Sequence, residues 1–180
     1  MAVMLFSSPF SRGSAPLLRP LLLIALLAGL LSPPEAAAQE ESGGKLPLPR
    51  FVSLRSAEAN ARTGPGVRYP VEWVFVRKDI PLEITAEFEN WRKVRDWQGS
   101  EGWVHRSMLY SRRSLVVTGE KRFLRAKPSL ESSVAGEIEP GVFGEIKRCE
   151  RDWCEVSLAG YEGWLQRFEF WGIYPDEKLD

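Results

Sequence analysis

The sequence predicts an all-β protein that contains two tandem copies of one small unit. From Phe51 onward, short segments rich in Val, Ile, Leu and aromatic residues alternate with turns of Gly, Pro, Asp and Asn. Segments 82–86 (LEITA) and 144–148 (GEIKR) have the alternating pattern of strands. No apolar pattern with helical spacing persists for three turns, so we expect strands throughout.

An internal repeat establishes the two copies. Segments 90–103 (NWRKVRDWQGSEGW) and 151–164 (RDWCEVSLAGYEGW) share Trp-x-x-Val and then Glu-Gly-Trp. The first motif recurs at an offset of 62 and the second at 61, so the turn between them is one residue shorter in the second copy. We place the first domain at 51–112 and the second at 113–175, with a C-terminal tail at 176–180.

The N-terminal region has the organisation of a secretory signal peptide over residues 1–38. Arg12 and Arg19 precede an apolar run at 21–31, and an Ala-x-Ala site ends at Ala38. An uncleaved anchor is the alternative, but eleven residues rise only about 16 Å as a helix against a hydrocarbon core of roughly 30 Å. We expect no stable membrane span after cleavage, a flexible linker at 39–50, and a periplasmic or secreted protein.

Charge excludes one class of partner. Removal of the signal peptide would leave 22 Lys and Arg against 23 Asp and Glu. A nucleic-acid binder gains its affinity by neutralising phosphates and needs a basic surface. We therefore expect no nucleic-acid partner.

The two cysteines, Cys149 and Cys154, both lie in the exported part of the chain. Two nearby thiols outside the cytosol are normally a disulfide. A single Cys-x4-Cys lacks the second ligand pair of a zinc site and the two-residue spacing of redox motifs. We predict a structural disulfide, no metal site and no cofactor.

Strand alternation predicts where two tryptophans point. In the segment 153–156, Cys154 and Val156 share one face and Trp153 lies on the other. Trp91 is related to Val94 in the same way. Because Cys and Val form a natural core pair, we expect both tryptophans on the outer face, where large aromatics line a groove or an interface. For Trp103 and Trp164 the alternation leaves core and rim positions open.

Three segments resemble the bacterial SH3-like domain family: 60–65 (NARTGP), 91–94 (WRKV) and 101–104 (EGWV). The family motif opens with Asn-hydrophobic-Arg and a Gly-Pro turn and closes with Gly-Trp-hydrophobic. Segments 69–75 and 82–84 resemble an exported subgroup with tandem domains, and the resemblance covers residues 51–174. It implies a five-stranded, partly open barrel that is attached to cell-wall enzymes or acts as a binding module.

The second copy departs from this motif. Phe123 stands in place of Asn60, and Lys127 in place of Gly64. The resemblance therefore favours the first copy for ligand binding.

Catalysis is not expected. The chain has one histidine, His105, and Gln166 replaces it in the second copy. Wall peptidases of the papain type need a free Cys and a separate His base. Glu101 and Glu162 recur before Gly-Trp, where we expect them to cap a turn or to pair with Arg62 or Arg125.

Binding to the peptide or glycan of the cell wall is the first functional hypothesis, because outward aromatics suit stacking on such surfaces. Docking on an envelope protein is the alternative, and filling of a small core is the plain structural reading of each aromatic. The candidate binding residues are Arg62, Tyr69, Trp91, Trp97 and Trp103 in the first copy and Trp153, Tyr161, Trp164 and Trp171 in the second.

Overall fold

The computed structural model describes residues 46–179. The predicted signal peptide and most of the predicted linker lie outside these residues, and β1 begins at the last linker position. The strands of the first domain are β1 Arg50–Leu54, β2 Ala59–Arg62, β3 Val71–Phe75, β4 Pro81–Phe88, β5 Trp91–Arg95, β6 Glu101–His105 and β7 Leu109–Tyr110. Those of the second are β8 Ser114–Val117, β9 Arg122–Arg125, β10 Val134–Ile138, β11 Phe143–Glu150, β12 Trp153–Leu158, β13 Tyr161–Gln166 and β14 Phe170–Trp171.

The two domains have the same topology. Their sheets run β3-β2-β6-β5-β4-β1-β7 and β10-β9-β13-β12-β11-β8-β14, so adding seven to each number of the first order gives the second. Between residues 46 and 179 the only helical segments are the short 3₁₀ turns Arg106–Met108 and Arg167–Glu169. None of these described segments could cross a bilayer as a helix. The predicted all-β tandem fold is confirmed.

Each sheet has seven strands where the resemblance implies five. The additional pairings are β3 on the outer side of β2 and the two-residue β7 on β1, with β10 and β14 in the same places of the second sheet. Both sheets are open, because their end strands have one partner each within the described chain.

The core lies on the face that strand alternation predicts. Val94, Cys154 and Val156 have 0% exposed surface, whereas Trp91 and Trp153 are partly exposed on the opposite face. The shorter turn of the second copy is also confirmed. Ala159 and Gly160 both have positive φ, 48° and 87°, as a two-residue type I′ hairpin turn requires.

The predicted disulfide joins Cys149 of β11 to Cys154 of β12. The two residues are cross-strand partners with Cα atoms 4.0 Å apart. The same cross-strand position of the first domain holds Glu87 and Arg92, whose Oε1 and Nε atoms form an ion pair at 2.9 Å. At this position the two paired strands are therefore linked by a covalent bond in the second domain and by an ion pair in the first.

An aromatic cluster joins the two domains. Phe51 of β1 is 7% exposed, and its ring centroid lies 4.7 Å from that of Trp171 and 4.6 Å from that of Tyr174. The Tyr174 hydroxyl donates to Glu83 Oε1 of the first domain at 2.7 Å. A second contact is made by Phe143, which packs against the core of the first domain and edge-on to Trp97 at 5.2 Å.

The connection between the domains is short and hydrogen bonded. Ser53 is fully buried and its Oγ lies 2.5 Å from Ser114 Oγ, which is 2% exposed. Ser53 Oγ also donates to the Arg112 carbonyl at 2.6 Å. The pair of serine hydroxyls therefore stabilises the contact between β1 and β8, because each buried hydroxyl has its hydrogen-bond partner in the other domain.

Residues 176–179, which the sequence places in a tail, pack against the second domain. Glu177 forms an ion pair with Arg113, and Arg113 Nη2 donates to its Oε2 at 2.9 Å. The Cys149 backbone N–H donates to the Leu179 carbonyl at 2.9 Å, and the Leu179 side chain lies on the core.

Removal of the disulfide should destabilise the protein modestly. Because the bond closes a loop of only about six residues, the double variant Cys149→Ala/Cys154→Ala should lose about 2 kcal/mol of unfolding free energy. Urea unfolding under non-reducing conditions measures this, and the wild type with dithiothreitol should match the variant. An unchanged midpoint in both would contradict a stabilising bond.

Tyr174 should make stability depend on alkaline pH. Burial, together with the hydrogen bond to Glu83, raises the pKa of the Tyr174 hydroxyl above its ordinary value of 10.0. A raised folded-state pKa contributes stability that is complete below pH 10 and is lost as pH rises through the folded-state value.

The variant Tyr174→Phe should therefore lose about 1 kcal/mol at pH 8 and show a shallower decline above pH 10. Urea midpoints at a series of pH values test this. Tyr161→Phe, at an exposed tyrosine of the second domain, is the control and should follow the wild type. Parallel curves for Tyr174→Phe and the wild type would refute the assignment.

Candidate binding groove of the first domain

A groove of about 320 Å³ lies on the outer face of the first domain, between β2, the start of β5 and the end of β6. Two of the predicted site residues, Arg62 and Trp91, line it together. The lining residues are Glu58, Ala59, Asn60, Arg62, Val67, Trp91, His105 and Met108.

Trp91 and His105 are held as a pair. They are cross-strand partners on β5 and β6, and their rings meet edge to face with centroids 5.4 Å apart and an interplanar angle of 81°. His105 Nδ1 lies 2.7 Å from Ser107 Oγ, and the same ring nitrogen accepts from the Ser107 backbone N–H at 3.4 Å. These contacts fix the imidazole beside the indole, so the Trp91 ring is preorganised before any ligand arrives.

Arg62 braces the loop at one end of the groove. Its Nη1 donates to the Tyr69 carbonyl at 2.7 Å and to the Val67 carbonyl at 3.2 Å. Arg125 makes the matching bond to the Ser132 carbonyl at 3.0 Å in the second domain. This arginine therefore positions the loop in both copies. Glu101, for which the sequence leaves a turn cap and pairing with Arg62 as alternatives, forms an ion pair with Lys93 at 2.5 Å instead.

The glycine of the Gly-Pro turn is needed for close packing. A Cβ placed on Gly64 would lie 2.4 Å from Cδ1 of Tyr69, so the Tyr69 ring covers the position that only glycine leaves free. Tyr69 thus shapes the loop rather than lining the groove. Lys127 at the same position of the second copy shows that its loop is packed differently.

The chemistry of the groove suits binding of an uncharged or weakly polar surface. Ala59 and Met108 form an apolar part, Trp91 offers an aromatic ring, and Glu58 and Asn60 are exposed and polar at the edge. An indole stacks on flat or apolar groups while polar neighbours fix their orientation. The sequence identifies Asn60 only as part of the family motif, and no local pattern singles out Glu58, Val67 or Met108.

The remaining candidates of the first domain lie elsewhere. Trp97 belongs to the contact with Phe143 of the second domain. Trp103 is partly exposed on β6, where its backbone pairs with Arg62 on one side and Lys93 on the other. Neither lines the groove.

The second domain does not bring its candidates together. Trp153 lines a separate cavity of about 380 Å³ with Pro128 and residues 150–152. Tyr161 is 53% exposed. Trp164 is 6% exposed, and the guanidinium carbon of Arg148 lies 4.9 Å from the centroid of the Trp164 ring. Trp171 lies in the aromatic cluster between the domains.

The groove residues also differ in the second copy. The topological equivalents of His105 and Met108 are Gln166 and Glu169, and these two side chains belong to the cap of the second 3₁₀ turn. The aromatic pair and the apolar floor are therefore features of the first domain alone.

Metal ligands are not clustered in the described region: residues 46–179 contain no group of three or more His, Cys, Asp or Glu side chains that could hold an ion. Both cysteines are in the disulfide.

Comparison with known proteins identifies the two copies as domains of one family. The family model described as bacterial SH3 domain matches residues 55–110 and 119–172. No curated protein matches the chain.

Two of the matching solved structures come from Trichomonas vaginalis. NlpC2 is 11% identical with a TM-score of 0.33 and NlpC1 10% identical with a TM-score of 0.32, and they cover 75% and 70% of this chain. The matches cover 52% and 46% of those chains, so this protein spans about half of their length.

Proposed function

The chain belongs to the bacterial SH3 domain family, and we propose that it is an exported, non-catalytic binding protein whose first domain recognises the peptide or glycan of the cell wall. The observation that carries the proposal is the groove in which Trp91, His105 and the braced loop of Arg62 come together. The disulfide agrees with a location outside the cytosol, in the periplasm or secreted.

The groove favours a ligand that combines an apolar or flat face with hydrogen-bonding groups. Both sugar rings and peptide backbones have this character, and the indole of Trp91 can stack on either. Because His105 and Arg62 are already tied to protein partners, binding would not require them to be ordered, which lowers its entropic cost.

The chemistry of the chain supports a non-catalytic role. Both thiols are consumed in the disulfide, so a cysteine nucleophile is excluded in the oxidised protein. The single histidine has its Nδ1 engaged by Ser107. The thiol that such a peptidase pairs with a histidine is therefore unavailable in the oxidised protein.

Docking on an envelope protein is a second candidate, and the edge of the first sheet favours it. Strand β3 pairs only with β2 in the described chain, and Val71 and Val74 are 42% and 38% exposed on it. An unpaired, apolar edge can accept a strand of another protein. In the second sheet the exposed Glu137 occupies the position of Val74, and its charge disfavours pairing of another strand with that edge.

If the groove binds the wall, Trp91→Ala should weaken retention on purified, protein-free sacculi by about tenfold, the equivalent of 1.4 kcal/mol. Trp153→Ala is the matched control, because it removes the tryptophan at the same repeat position outside the groove, and it should stay within twofold of the wild type. A sedimentation assay measures retention, and circular dichroism confirms that both variants fold.

Soluble stem peptides and soluble glycan strands, added as competitors, distinguish the two ligand classes. The same incubation should release no soluble fragments from the sacculi. Absence of retention of the wild type, or equal retention of both tryptophan variants, would sink the wall-binding proposal, and fragment release would overturn the non-catalytic role.

For the second candidate, Val74→Glu should abolish retention on envelope fractions from which the peptidoglycan has been digested, while leaving retention on purified sacculi unchanged. Val134→Glu, on the equivalent edge strand β10, should change neither. If Val74→Glu binds envelopes like the wild type, strand addition at this edge is excluded.

A further inference from the structure

A second cavity lies between the two domains, away from the groove. It measures about 240 Å³ and is formed by the β3–β4 loop of the first domain, the connection between the domains, and β8, β11 and β12 of the second. Its lining includes Arg77, Lys78, Asp79, Arg112, Glu145 and Ser157. Neither the family match nor the proposed function assigns a role to it.

The carboxylates of this cleft are already engaged, whereas two of its cations are not. Asp79 accepts a hydrogen bond from the Tyr110 hydroxyl. Glu145 accepts from Lys147 Nζ at 2.8 Å and lies 3.7 Å from Arg112 Nε. Within residues 46–179, neither Arg77 nor Lys78 forms an ion pair, and both are exposed.

Arg77 is held in place by the packing of the two domains. Its guanidinium carbon lies 4.4 Å from the ring centroid of Phe143, within the range of a cation–π contact. Phe143 is in turn fixed edge-on against Trp97. A cation–π contact uses none of the N–H donors of an arginine, and the planar fork of these donors matches a carboxylate.

The balance of charges selects among anions. Three cations, Arg77, Lys78 and Arg112, face two carboxylates in this lining, so a polyanion such as a phosphate chain would leave most of its charge unmatched. A ligand that carries one carboxylate beside amide N–H groups would satisfy Arg77 and Lys78 and could donate to the acidic side. The C-terminal end of a peptide has this pattern.

We propose that the cleft between the domains is a binding site for the free C-terminal carboxylate of a short peptide, with Arg77 and Lys78 as its donors. The Ser157 hydroxyl, on the wall formed by the second domain, lies in position to donate to the same ligand. The site exists only while the domains are packed together, since Phe143 comes from one domain and Arg77 from the other.

The test is a chemical-shift titration of the full exported chain with acetyl-Ala-Ala-Ala, which ends in a free carboxylate, and with its C-terminal amide. We expect saturable shifts of the amide resonances of residues 77–79, 144–145 and 157 with the free acid. The C-terminal amide should bind about tenfold more weakly, since it lacks the charge that the two cations recognise.

The double variant Arg77→Ala/Lys78→Ala should lose at least about tenfold in affinity, with the rest of its spectrum unchanged. The control Arg55→Ala/Lys127→Ala removes two exposed cations that lie outside the cleft and should stay within twofold. Trp91→Ala should also bind the peptide normally. A negative result for the cleft can therefore be distinguished from a negative result for wall binding by the groove. Absence of saturable shifts, equal binding of acid and amide, or equal losses in the two double variants would overturn the proposal.

Discussion

The packing between the two domains is the constraint on which the rest of this structure depends. A domain of about 60 residues buries a smaller fraction of its surface than a larger domain does and is only marginally stable by itself. Here Phe143 of the second domain completes the core of the first, and Phe51 of the first is enclosed by Trp171 and Tyr174. Two of the seven tryptophans of the chain, Trp97 and Trp171, take part in these contacts between the domains.

The two copies have different residues at equivalent positions. At the same cross-strand position, one is tied by Cys149 and Cys154 and the other by Glu87 and Arg92. The first copy keeps the residues that form the groove, whereas the second has replaced His105 with Gln166 and has gained a covalent bond. The strand order is the same in both copies, so the groove depends on the side chains and on the loop packing of the first copy.

Strand alternation and the repeat predicted much of the fold from the sequence. They identified the tandem all-β organisation, the buried positions of Val94 and Val156 and the shorter turn, because each follows from local periodicity. Alternation also placed Trp91 on the outer face, but it could not distinguish a groove from an interface. That distinction depends on which surfaces meet in space, so Trp97 and Trp171 were assigned to binding although they pack between the domains. Nor could it foresee that Arg62 would donate to carbonyl groups of its own loop.

The contact between the domains is head to tail, and this has a consequence for how the copies can change. In a heterologous contact each partner uses a different surface, unlike the self-complementary contact of a two-fold dimer. Phe51 and Ser114 occupy one repeat position, as do Pro81 and Phe143, yet each faces different neighbours. In a duplicated chain each copy uses only one of its two surfaces in this contact, so its other surface is released from that packing constraint. Different residues at equivalent positions of the two copies are therefore compatible with one shared fold.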